Sequence, residues 1–338
     1  MLLLRRHALF GGTTGSGKSG GLNVTLGNLA ACGDVVIWAI DLKRGMELGP
    51  WSSCIARLAT TAAEARALLA DAVTILEARA AHMAAAGRRV WEPSEEMPAL
   101  IIEIDEYAEL AEYAPAATGD ADSIARRGRA VAVTLIVATQ RSTQKAMGQG
   151  ALRSQMDVRV SFRVRERKDT DLILGQGMLA AGWQAHTLNA PGKFLISAPE
   201  HDTPRRARAY LITDQAVAST ASSYAALCPP LDDVSLQALE ERAQMRPDEP
   251  GDPAMHAYAG NAVGSPERDR ESPGALLWFA LCIAPDQGAS IADLMSSSGM
   301  NRTTLYRHLI EHARAGRAVQ VCRGRWRAVT TGEPGTAR

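Results

Sequence analysis

The sequence predicts an α/β fold, a mainly parallel sheet with helices on both faces, followed by a small C-terminal winged helix-turn-helix domain. Three observations predict it. Gly12-Thr13-Thr14-Gly15-Ser16-Gly17-Lys18-Ser19 fits the G-x-x-x-x-G-K-[ST] pattern of a phosphate-binding P-loop, between a short apolar run and a helix-like segment. A second apolar run, Ala99-Leu100-Ile101-Ile102-Glu103-Ile104, ends in the adjacent acids Asp105 and Glu106. Strand-length apolar runs then alternate with helix-like segments before the composition changes near Cys228, the pattern of an open sheet with helical crossovers.

Composition sets the limits. At 338 residues the chain has room for two domains, one of them large. Its formal net charge is zero, so no global basic field points to nucleic acid. That zero hides an asymmetry: from Pro273 onward eight arginines face Asp286, Asp293, Glu311 and Glu333, a formal +4. A basic tail on a mildly acidic body points to an anionic partner at the C-terminus. Five dispersed cysteines without a C-x-x-C fit buried thiols in a reducing compartment. No apolar run is long enough to span a bilayer, and Met1-Leu2-Leu3-Leu4-Arg5-Arg6 has the reverse polarity of a secretory signal.

In chain order, His7-Ala8-Leu9-Phe10 reads as a buried strand leading into the P-loop, and residues 20–31 as the helix after it, ended by Gly33. The glycines let backbone N–H groups converge on one anion, to which the helix N-terminus adds its positive dipole end. The loop specifies a nucleoside triphosphate. Lys18 is expected on its β- and γ-phosphates and the Ser19 hydroxyl on Mg²⁺. Residues 34–41 form a continuous apolar run bounded by aspartates, as a strand buried on both faces does. Thr61 and Glu64 form a capping box opening a helix to Ala86, closed by Gly87.

The run 99–104 supplies the acidic strand. Asp105 is expected at the Mg²⁺ site through a water shared with Ser19, and Glu106 on the water that attacks the γ-phosphate. Glu103 stands out: a carboxylate inside a buried strand is costly unless paired, so it is expected to face an arginine or the sheet's end. Residues 120–129 read as a polar helix and 130–138 as a strand. Gln140 follows that strand's end, positioned to sense the γ-phosphate or to cap a helix. Further strands are expected at 157–164, 194–196 and 209–212, and a short helix at 166–174.

The ATPase domain is expected over residues 1–228, a largely flexible linker over 229–272 with one helix at 234–244, and a winged helix domain over 273–330 with a tail at 331–338. Residues 274–283, 290–297 and 301–314 read as three helices, followed by two strands around Arg323-Gly324. The third helix would enter a major groove by its N-terminal residues. Asn301, Arg302, Thr303, Tyr306 and Arg307 suit base edges or phosphates, with Asn301 equally able to cap the helix. Arg323, Arg325 and Arg327 suit backbone phosphates on the wing. Leu305, Leu309 and Ile310 would form its core stripe. A winged helix used for protein contacts is the competing reading.

With these motifs placed, the P-loop, Asp41-Leu42-Lys43, Ile104-Asp105-Glu106-Tyr107-Ala108-Glu109-Leu110 and Ala138-Thr139-Gln140-Arg141 resemble the FtsK/SpoIIIE double-stranded DNA translocases, most of all the transfer proteins of actinomycete conjugative plasmids (the TraB and TraSA type). The resemblance covers roughly residues 7 to 215. It implies a RecA-like ATPase using ATP and Mg²⁺ and assembling as a homo-hexameric ring around duplex DNA. It further implies phosphate and magnesium roles for Lys18 and Ser19, an acidic pair in Asp105 and Glu106, and a sensor in Gln140. Membrane-associated transfer proteins are expected partners, and the cytoplasm, at the inner face of the membrane through those partners, the expected location. Glu103 departs from the apolar residue usual in that strand. Arg126, Arg127, Arg129, Arg163, Arg165 and Arg167 are all candidates for an arginine finger. Two other classes of function remain: an ATP-responsive DNA-binding regulator that does not translocate, and a protein-remodelling ATPase.

Overall fold

The computed structural model describes residues 3–140 and 152–245, and beyond them 277, 280, 281, 284, 287–298, 300, 305, 308, 309, 312, 313, 318–322 and 325–328. The chain divides into two compact units, residues 1–261 and 262–338.

The first unit is built on an eight-stranded sheet of order β3-β2-β4-β5-β1-β6-β7-β8. These strands are β1 (His7–Gly11), β2 (Val35–Ile40), β3 (Arg57–Ala59), β4 (Ala99–Ile104), β5 (Val133–Thr139), β6 (Met156–Phe162), β7 (Lys193–Ser197) and β8 (Arg205–Arg208). The six from β3 to β6 are parallel, and β7 and β8 add an antiparallel edge. β1, β2, β4 and β5 are buried along their whole length, which is why their sequences read as unbroken apolar runs.

Alternation divides the core between the two faces of the sheet. Leu9, Trp38, Ile102 and Val137 pack against α2 (Ala62–Ala85) and α4 (Ala117–Arg127). Phe10, Ile37, Ile101 and Ile136 pack on the opposite face against α1 (Lys18–Ala30) and α6 (Asp214–Tyr224). Helix α2 starts as expected: Glu64 N–H donates to Thr61 Oγ1 while Thr61 N–H donates to Glu64 Oε2. Two short helices complete the set so far, α3 (Tyr107–Tyr113) and α5 (Asp169–Leu174).

Three strand expectations shift. β5 begins at Val133 rather than Ala130, because a 3₁₀ turn over Gly128–Val131 and a left-handed Ala132 (φ 52°) delay it. The last strand of this sheet is Arg205–Arg208, not 209–212: Arg205, Arg206 and Arg208 are exposed at the sheet edge and give no apolar signal. β3 was not expected at all, since three residues carry too little pattern.

Helix α7 (Asp233–Met245) packs on α2, with Leu231 and Leu239 in the core of that face, so the first unit continues past residue 228. Its anchor is Arg79, fully buried in α2, whose five N–H groups donate to Ser235 Oγ, Val131 O, Ala132 O, Pro98 O and Asp232 Oδ2, the last at 2.5 Å. The Trp91 ring covers the guanidinium at 4.4 Å.

In the second unit, β9 (Ala289–Ser290), β10 (Ala318–Cys322) and β11 (Arg325–Ala328) form an antiparallel sheet of order β10-β11-β9. Helix α8 (Ile291–Ser298) opens on a reciprocal cap between Ser290 and Asp293. Leu277, Leu281, Leu294, Leu305, Leu309 and Trp326 form its core, so Leu305 and Leu309 face inward as expected. Among the described residues no helix is long and apolar enough to cross a membrane.

Candidate functional site

The site lies at the C-terminal ends of the parallel strands, where open α/β sheets bind ligands. β1 delivers the P-loop there and β4 delivers Asp105 and Glu106. These strands are not neighbours: β5 runs between them and ends in Thr139 and Gln140.

The loop is built for backbone to approach an anion. Gly15 and Gly17 have φ of 72° and 92°, the left-handed region that glycine enters freely. Gly17 caps α1, with no side chain satisfying the helix N-terminus and no acid in the first turn. The first intrahelical bond is Gly21 N–H to Gly17 O, so the N–H groups of Lys18 to Gly20 are left for a bound anion. Ser16 Oγ is buried in the loop without a hydrogen-bond partner.

Lys18 is buried, its Nζ donating to Asp105 O at 3.1 Å and lying 3.5 Å from Asp105 Oδ1. Asp105 is equally buried and meets a second lysine, Lys43, at 2.7 Å through Oδ2. Lys43 follows β2 in a turn that the Asp41 carboxylate holds by accepting from the N–H groups of Lys43, Glu47 and Leu48. Burial pulls the Lys43 pKa down, but the Asp105 hydrogen bond and the charges of Asp105, Glu109 and Glu106 more than offset it, so it stands above its usual value. The motif containing Lys43 is visible in the sequence, but nothing there gives the lysine a role. Its position just past a strand end on the P-loop edge is the signal that would have singled it out.

Glu106 caps α3 and is gripped from two sides. Oε1 accepts from Thr139 Oγ1 at 2.7 Å and, more weakly, from Ala108 N–H at 3.4 Å; Oε2 accepts from Gln140 N–H at 2.8 Å. Gln140 Oε1 in turn accepts from Thr14 Oγ1 at 2.7 Å, so β5 ties the acidic strand to the phosphate loop. Lys18, Asp105, Glu106 and Gln140 are thus brought together, with Ser19 half-buried one residue into α1. A cavity of about 650 Å³ opens among Thr13, Thr14, Lys43, Glu106, Gln140 and Arg163.

Glu103 meets neither an arginine nor the sheet's end. It is fully buried with both oxygens unpartnered, between Ala39 of β2 and Ile136 of β5. Burial drives its pKa well above the ordinary carboxylate value and Asp105 adds to this, against a smaller pull from Lys18. Its surroundings therefore favour the neutral carboxylic acid over the carboxylate.

The arginines divide. Arg163 and Arg165 line the cavity beside the P-loop, and Arg163 O accepts from Thr13 N–H and Thr13 Oγ1. Arg126, Arg127 and Arg129 line a larger cleft, about 960 Å³, that contains no P-loop residue. Arg167 is exposed and lines neither. Of the expected DNA-binding residues, Arg325 and Arg327 lie on β11, with Arg325 donating to Gly288 O at 2.8 Å. Asn301, Arg302, Thr303, Tyr306, Arg307 and Arg323 lie outside the described residues.

Fold and site together define a P-loop ATPase. Residues 4–97, from the approach to β1 through α2, match the model of the FtsK/SpoIIIE family, and the recognition of an FtsK/SpoIIIE-type ATPase from the motifs is borne out. The chain is 29% identical over 241 residues to DNA translocase SftA of Bacillus subtilis, covering 66% of this chain and 24% of that protein. It is 28% identical over 212 residues to Protein Tra of Streptomyces lividans, covering 57% and 34%. It therefore spans about a quarter to a third of the length of these relatives. Its fold is similar to that of the pCW3 conjugation coupling protein TcpA, solved in a monomer form with ATPγS, at a TM-score of 0.56 and 21% identity over 70% of this chain and 65% of that one.

Proposed function

We propose that this chain is an ATP-hydrolysing motor that moves double-stranded DNA, working as a homo-hexameric ring in conjugative plasmid transfer. One observation carries the hydrolytic part: the Glu106 carboxylate is fixed by Thr139 and the Gln140 N–H beside the Lys18–Asp105 pair. A carboxylate held on both oxygens at the γ-phosphate end of a P-loop suits orienting water better than reporting occupancy alone. DNA as the substrate rests on the similarity to SftA and Tra, and on the basic C-terminal unit.

In this reading the loop N–H groups and Lys18 hold the β- and γ-phosphates. Ser19 and Asp105 would hold Mg²⁺, which neutralises phosphate charge when bound; one hydroxyl and one carboxylate suit an ion that keeps phosphates and water among its ligands. Glu106 aligns the attacking water and accepts its proton, and Gln140 links the γ-phosphate position to Thr14. The second unit is read as a winged helix, with Asn301, Arg302, Thr303, Tyr306 and Arg307 on bases or phosphates and Arg323, Arg325 and Arg327 on backbone phosphates.

The test is ATPase activity on samples of known oligomeric state, with duplexes of increasing length. A motor shows turnover that DNA stimulates and that rises with duplex length. Stimulation independent of length points to a DNA-responsive regulator, and indifference to DNA points to a protein substrate. Lys18→Ala should abolish nucleotide binding or turnover, and unchanged turnover would remove the P-loop from the mechanism.

A further inference from the structure

We propose that the segment following β8, with Tyr210 and Leu211, is the platform on which the nucleobase rests. This inference depends on the P-loop being the nucleotide site and assigns the other end of the same ligand.

Direction comes from strand order. Asp105, Glu106, Thr139, Gln140 and Lys43 all stand on the β5-β4-β2 side of β1. They mark where the terminal phosphate goes, and Gln140 is bonded to Thr14 on that side of the loop. A nucleotide with its phosphates in the loop extends its nucleoside away from its γ end, toward β6, β7 and β8.

On that side the loop is braced by backbone. Gly192 N–H donates to Ser16 O at 2.9 Å, and a Cβ on Gly17 would lie 2.3 Å from Gly192 N. Gly192 O then accepts from Ala209 N–H at 2.9 Å. Two hydrogen bonds therefore join the phosphate loop to the residue before Tyr210. Beyond the pair, Ile212 packs against the core on the α1 face, so the segment is anchored at both ends.

Between the anchors, Tyr210 is 84% and Leu211 95% exposed. Single exposed apolar residues are ordinary. Two consecutive large ones, held by backbone bonds beside a phosphate loop, form a surface suited to the flat apolar face of a purine. A phenol ring and an isobutyl group offer stacking and dispersion but few polar contacts, so the platform accepts adenine and guanine alike. Arg208, exposed one residue before Ala209, adds positive charge near the ribose and α-phosphate.

The experiment is calorimetric titration of the full chain with Mg·ATP and, separately, with inorganic tripolyphosphate, for wild type, Tyr210→Ala and Tyr210→Phe. The two ligands share phosphates and differ in the nucleoside. Tyr210→Ala should weaken ATP about tenfold, as loss of one stacked base does, while leaving tripolyphosphate unchanged; Tyr210→Phe should bind both as wild type does. Equal weakening of both ligands, or of neither, overturns the platform. So does a Tyr210→Ala chain whose sedimentation shows reduced assembly with an unchanged ATP-to-tripolyphosphate ratio, which assigns the pair to contact with a second copy. Failure of wild type to bind either ligand removes the nucleotide site itself and the platform with it; binding of both without discrimination by Tyr210→Ala removes the platform alone.

Discussion

Lys43 lies on the carboxylate proposed to serve the metal, with its Nζ 2.7 Å from Asp105 Oδ2, so Asp105 faces one lysine from the phosphate loop and another from the β2 turn. Lysine and metal ion offer positive charge to the same buried group. Lys43→Met should therefore destabilise the nucleotide-free protein, by about 1–2 kcal/mol since this lysine is partly exposed and screened. Mg·ATP should then raise the melting temperature of the variant more than that of wild type, because it restores the missing charge. Thermal unfolding with and without Mg·ATP checks this, and an equal increment in the two proteins would show that Lys43 and the ion do not share Asp105.

Glu106→Gln separates chemistry from binding. The amide keeps the shape: its oxygen can still accept from Gln140 N–H, and its NH₂ can donate to the Thr139 hydroxyl, which accepts as well as donates. Turnover should fall about 10²–10⁴-fold while ATP still binds and persists. Single-turnover hydrolysis beside equilibrium binding gives the comparison; normal hydrolysis, or loss of binding, would remove Glu106 from the role of general base.

How far the sequence discloses this arrangement depends on how local each signal is. β1, the P-loop and β4 are legible because a doubly buried strand needs an unbroken apolar run and an anion cradle needs glycine. Gln140 is legible from position alone. The Arg79–Asp232 pair is not, since it joins residues 153 positions apart and each reads locally as a solvated charge. β8 is hidden by its arginines, and Lys43 by the commonness of lysine after a strand. Glu103 is conspicuous in sequence, but only the register that sets Ala39 and Ile136 beside it shows that its oxygens meet no partner.

That burial gives a pH dependence of definite sign. The folded pKa of Glu103 is raised above its ordinary 4.5, so its contribution to stability is fully present below that pH and is lost as pH rises toward the folded value. Glu103→Gln removes the loss, and its advantage in melting temperature over wild type should grow from pH 5 to pH 8. His7 has the opposite sign. Its Nδ1 accepts from Leu135 N–H, and burial, aided by the Arg129 charge, lowers its pKa from 6.5 to about 4. Stability from neutral His7 is present above 6.5 and falls by about 3 kcal/mol as pH drops to about 4. His7→Asn, whose carbonyl oxygen can take the Nδ1 position, should flatten that acid limb. Melting curves of both variants across pH 4–8 separate the two effects, and parallel curves for wild type and either variant would refute the corresponding assignment.

The end of the ATPase unit is decided by Arg79. Removing everything after residue 228 deletes Asp232, Ser235, Leu231 and Leu239 together. The guanidinium would keep its three carbonyl partners but lose its counter-charge, and breaking a buried ion pair by removing one partner typically costs about 3–5 kcal/mol. The loss is a large part of the 5–15 kcal/mol that stabilises an ordinary domain. A fragment ending at 228 should thus unfold at lower denaturant or aggregate, whereas one ending at 245 should melt as the full chain's first unit does and bind ATP equally well. Asp232→Asn in the full chain isolates the electrostatic part: it keeps the size and one acceptor but loses the charge, and should fall between the two fragments. Urea unfolding of all three decides it. Equal midpoints for the fragments ending at 228 and 245 would show that α7 merely lies on α2, and that Arg79 is held well enough by the backbone carbonyls of Pro98, Val131 and Ala132.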